Sequence, residues 1–138
     1  MAAIIELLSK VDHKTQVIWA TDCAARALAY LAGKYPTDNR TEKAIEAGRA
    51  WVRGEISTGE ARKAAFASHS AAREAIDDAV RMVARASGHA AATAHVAGHA
   101  LHASTYAIKA IVLSGGDSMT ELNWQIECLK KMIESNNR

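Results

Sequence analysis

Histidine is the side chain best suited to act near neutral pH, as acid, base, metal ligand or hydrogen-bonding bridge. Three histidines in this chain, His95, His99 and His102, are spaced four and three apart. On an α-helix turning about 100° per residue, they fall within about 60° of one another on one face. Tyr106 lies four positions further on and continues the stripe. His69 sits in a separate alanine-rich stretch, with Glu74 and Arg73 about one turn later. His69, Arg73, Glu74, His95, His99, His102 and Tyr106 form the candidate polar cluster.

Two histidines at i and i+4 can share a zinc ion, but the metalloprotease pattern also needs a glutamate after the first histidine. Here the residue after His95 is Val96. A carboxylate di-iron bundle needs Glu-x-x-His repeats, and Glu74 is followed three positions later by Asp77. No metal and no cofactor are expected. No Ser-His-Asp order is convincing, and Cys23 beside Asp22 lacks a nucleophile signature. Gly115-Gly116 has no preceding strand and no lysine, so it is not a phosphate loop. No catalytic residue and no enzymatic activity are expected. Histidines on an alanine-rich helix can fill the gaps alanine leaves and bond a neighbouring helix through their ring nitrogens. That is the favoured role of the stripe, with a metal or small-ligand site as the alternative. Arg73 and Glu74, set among alanines, are expected to be buried and to pair structurally. Asp22 and Arg26 suit a pair along one face, and Arg85 is expected to join their network.

These residues need elements to hold them. Thirty alanines, the best helix formers, dominate the chain, and Pro36 is its single proline. No stretch alternates apolar and polar residues long enough for a strand. The fold class is all-α, a compact bundle of five to six helices. The expected helices are Ala3 to Leu8, Asp12 to Ala32, Thr41 to Arg53 and Thr58 to Ala86. A histidine helix from His89 to Leu113 and a last helix from about 118 to 135 complete the set. Gly33 and Pro36 stop the second helix, ahead of a polar turn from Tyr35 to Arg40. Ser57 and Glu60 make a capping box. The fourth helix is expected to kink near Asp77, and Ser87-Gly88 marks the next break. Alanine surrounds the helices at 61–75 and 90–110 on nearly all sides, which places both at the centre of the bundle.

The 138 residues suit a single domain, 1–138. Seventeen basic residues against 15 acidic ones give a net charge of +2, with no basic run. That near balance argues against a nucleic-acid partner. No apolar run reaches a membrane span and no secretion signal opens the chain, so a cytoplasmic protein is expected. Cys23 and Cys128 lie far apart without metal-type spacing and are expected to be free thiols. Trp19, Trp51 and Trp124 are expected to anchor a small-residue core. Trp124, Ile126 and Leu129 on the last helix could instead supply a homo-oligomer interface.

Several segments in order carry a family likeness. They are Trp19-Ala20-Thr21-Asp22-Cys23-Ala24, Tyr35-Pro36-Thr37-Asp38-Asn39-Arg40 and Ala44-Ile45-Glu46-Ala47, then Ala71-Ala72-Arg73-Glu74-Ala75. Ala84-Arg85-Ala86-Ser87-Gly88-His89-Ala90 follows, and then Ala94-His95, His99-Ala100 and Tyr106-Ala107. Over about Asp12 to Leu113 the chain resembles the all-helical bacterial immunity proteins likened to the fifth class of polymorphic-toxin immunity proteins. The resemblance implies a small cytosolic protein that binds and neutralises a cognate protein toxin. It assigns no catalytic residues. Immunity proteins often offer an acidic face to a basic toxin, whereas this chain is slightly basic, so overall acidity would not steer the encounter.

Overall fold

Side-chain caps set where several helices begin. The computed structural model describes residues 1–31 and 38–136, and these form seven α-helices with no strand among the described residues. They are α1 (Ala2–Leu8), α2 (His13–Tyr30), α3 (Arg40–Val52), α4 (Thr58–Glu74), α5 (Asp78–Ala92), α6 (His99–Leu113) and α7 (Ser118–Asn136). Asp12 caps α2 by accepting from the Thr15 amide at 2.8 Å. Ser57 and Glu60 form the expected capping box on α4, with reciprocal bonds of 3.1 and 3.3 Å. Gly54 has φ +75°, a left-handed conformation that suits glycine, and it turns the chain out of α3. The expected stop at Gly33 and Pro36, and the turn from Tyr35, fall largely on residues 32–37, outside the described residues.

The all-α class holds, but the described residues form seven helices rather than five or six, and the reasons are local. The expected helix from Thr58 to Ala86 is two helices. Asp77 accepts from the Val80 amide at 3.0 Å and so starts α5 afresh. Arg81 closes the end of α4 by donating to the Ala75 carbonyl at 2.9 Å. Ser87-Gly88 is not a break, because α5 runs straight through it to Ala92. The expected histidine helix is instead interrupted between α5 and α6. There the Thr93 hydroxyl bonds back to the His89 carbonyl at 2.8 Å, and His13 on α2 meets the Thr93 carbonyl at 2.5 Å. Such side-chain bonds compete with continuation of the helix.

Two alanine-rich helices at the centre is also only half right. The hub is α5, which packs on α2, α3, α4 and α6. Helix α4 packs on α3 and α5, and its outer side leaves Phe66 exposed. Alanine explains the difference: it favours helix wherever it stands and carries too little area to demand burial. Small side chains do permit close packing. Gly48 on α3 sits so near α2 that a Cβ there would lie 2.6 Å from the Thr21 methyl.

Trp19 anchors the main core at full burial and donates from its indole to the Gln125 carbonyl on α7, 3.0 Å away. Gln125 in turn brackets Ser104 on α6, accepting from its hydroxyl at 2.6 Å and donating to its carbonyl at 3.1 Å. One residue of the last helix thus satisfies buried polar groups on two others, as close packing requires. Leu129 is fully buried in this core, so it is not available for the self-association surface suggested with Trp124 and Ile126. Both cysteines are free. Burial pushes the Cys23 thiol well above its usual range, and Cys128 is the next largest cause. A thiol so held stays protonated and inert.

Candidate functional site

Three helices bring four histidine rings together, and the ring at the centre, His89, is not one of the seven candidates. Its centroid lies 4.8 Å from His69 on α4, 5.1 Å from His99 and 5.1 Å from His102 on α6. Tyr106 stacks on it at 5.4 Å with the planes 4° apart. On a continuous helix from His89 to Leu113, His89 would be turned off the stripe of His95, His99 and His102. The interruption at 93–98 lets α6 fold back along α5, and the wheel no longer applies. Arg85, one turn before His89 on α5, also reaches the cluster.

The other candidates part company. His95 lies exposed in the connection between α5 and α6, outside the ring contacts. Arg73 is exposed and donates to the Ser70 hydroxyl at 2.8 Å. Glu74 is exposed at the end of α4 and pairs with Arg40. The expected buried Arg73–Glu74 pair is therefore absent: α4 is peripheral and its last turn reaches water. The expected Asp22–Arg26 pair is replaced as well. Arg26 grips Glu121 on α7 with two bonds of 2.6 and 3.1 Å and lies 4.4 Å over the Trp124 ring. Asp22 pairs with Arg49 at 3.4 Å. Arg26 and Glu121 thus join α2 to α7, with the Glu121 side chain only 5% exposed.

Hydrogen bonding fixes the protonation pattern of the rings. Arg85 meets His69 Nδ1 at 3.0 Å. A guanidinium only donates, so Nδ1 is the acceptor and the neutral His69 ring carries its proton on Nε2. Gly88 makes room for this ring. A Cβ at that position would lie 2.7 Å from His69 Cε1 and 2.8 Å from Nε2. The Nδ1 atoms of His89 and His99 are 2.9 Å apart. One must donate and the other accept, so the pair has opposite tautomers and loses its bond if both rings are charged.

Electrostatics agree with neutral rings. Burial first, and then the Arg85 charge, hold His69 down at about 4. Burial and the neighbouring His69 and His99 hold His89 at about 3. His99 is lowered by burial, then by His102 and His95. Every charge named among these causes is positive. No group of three or more His, Cys, Asp or Glu among the described residues converges to hold a metal ion. Chemically, His69, His89 and His99 are neutral imidazoles, cross-bonded between α5 and α6 and bordered by an arginine.

The family model described as Imm-5 like putative immunity protein matches residues 6–132. The chain belongs to this family. The match runs past the span of the short motifs, taking in the later part of α1 and most of α7. No curated protein and no solved structure matches the chain.

Proposed function

We propose that this protein is a non-enzymatic immunity protein that binds and neutralises a cognate bacterial toxin in the cytoplasm. The observation that carries this reading is the family match over residues 6–132. The ring cluster is compatible with it, because its nitrogens bond one another and Arg85 and thereby hold α4, α5 and α6 in register. No helix among the described residues is long and apolar enough to cross a membrane, which suits a protein acting in the cell interior. The net charge of +2 means that complementarity to the toxin would be local rather than global.

The test is co-expression with the toxin encoded by the neighbouring gene. Growth rescue and a complex that survives size-exclusion chromatography support the reading. A chain that gives no rescue and forms no complex with that toxin overturns it.

A further inference from the structure

Among the described residues, every charge acting on His69, His89 and His99 is positive. From α4 come His69 and the nearby Arg73, from α5 Arg85 and His89. From α6 come His99 and His102, with Lys109 lying 5.2 Å over the Tyr106 ring. The connection between α5 and α6 adds His95. Elsewhere, Arg26, Arg40, Arg49, Arg53 and Arg81 each meet a carboxylate. Arg85 is half-buried, and among the described residues its one recorded side-chain partner is neutral His69. A partly desolvated guanidinium is stabilised by an anion, and its planar fork suits an oxyanion with two oxygens in reach. Half-buried His99 and exposed His102 leave one side of the cluster open to solvent.

We propose that Arg85, together with His69, His89, His99 and His102, forms an oxyanion-binding site for a carboxylate or a phosphoryl-type group. Arg85 supplies the fixed charge and the imidazoles supply N–H donors. Protonation of His69, His89 and His99, opposed in the free protein first by burial and then by like charge, becomes favourable once the anion is present. Binding is therefore coupled to proton uptake, and by linkage each favours the other. This inference stands apart from the toxin reading, because a small anion tests it without any partner protein.

The experiment follows the imidazole resonances of labelled full-length protein while titrating sulfate in one arm and acetate in the other. Sulfate keeps its charge across the range and acetate stays mostly ionised above pH 5.5. Chloride at matched ionic strength is the control. The expected result is saturable binding that raises the titration midpoints of His89 and His99. Affinity should be about tenfold tighter at pH 5.5 than at pH 7.5, as expected if the anion returns His69 or His89 to the ordinary imidazole value near 6.5. Saturation by sulfate alone assigns a phosphoryl-type ligand, and saturation by acetate alone assigns a carboxylate. Arg85→Gln should weaken binding at least about tenfold, as loss of a charge-assisted pair does, while Arg85→Lys, which keeps the charge but not the fork, should weaken it less than Arg85→Gln without matching the wild type. If Arg85→Gln does not fold, His102→Gln, at an exposed position, removes one N–H donor and should weaken binding. Equal shifts with chloride, or affinity independent of both pH and these substitutions, overturn the proposal.

Discussion

Acidification from pH 7 to pH 5 should destabilise this protein through two rings. His69 is held at about 4 and His89 at about 3 in the folded chain, against 6.5 for a free imidazole. In the unfolded chain both rings take up protons as the pH drops below about 6.5, while in the folded chain they stay neutral. A lowered folded value therefore means stability is intact above about pH 6.5 and falls as the pH drops toward the folded values. Integrating over this interval, each ring removes about 2 kcal/mol between pH 7 and pH 5. The rings are half-buried, so solvent screening reduces the sum to about 2–3 kcal/mol for the pair. That is a large part of the 5–15 kcal/mol that domains typically hold. Urea unfolding in a cationic buffer at the two pH values should show the midpoint falling by about 1–2 M, given slopes of about 1–3 kcal/mol per M. Staying above pH 5 keeps most of the carboxylate titrations out of the window. The double substitution His69→Gln with His89→Gln should flatten the dependence. An unchanged wild-type midpoint, or a double variant with the full loss, would refute the reasoning.

Three substitutions test other parts of the fold. Arg26→Leu leaves Glu121 buried and uncompensated and should cost about 3–5 kcal/mol, whereas Glu121→Leu leaves a more exposed arginine, 36% accessible, and should cost clearly less. Equal losses in paired urea curves would contradict that asymmetry. Gly88→Ala gains up to about 1 kcal/mol in helix propensity but displaces the His69 ring. Melting should therefore change little while the His69 resonances move, and unmoved resonances would mean the ring is not seated there. The Ser87 hydroxyl is buried without a partner among the described residues, so Ser87→Ala should stabilise by about 1 kcal/mol, read as a raised melting temperature.

Much of the fold was legible from local chemistry. The caps at Asp12 and Ser57 lie in side chains and their near neighbours, and both starts were read correctly. The breaks were harder. Gly88 looks like a helix breaker in one dimension, yet its missing side chain serves a ring from a different helix. The interruption at 93–98 depends partly on His13, eighty positions earlier in sequence, meeting the Thr93 carbonyl. Part of the candidate site was legible, since His69, His99, His102 and Tyr106 do come together. Arg85 and His89 are four apart and share a face of α5, a signal that was present but masked by treating His89 as the start of the next helix. Arg73 and Glu74 were misplaced because alanine neighbours say little about depth.

The bond between Trp19 and Gln125 joins positions 106 residues apart. During synthesis at about 5–20 residues per second, the indole therefore waits about 5–20 s for its acceptor to exist. Helices α2, α5 and α6 can be complete by then, but the core face that α7 covers stays open until α7 itself is made. The nascent chain thus has a defined vulnerable interval, and closure of the tryptophan environment reports its end.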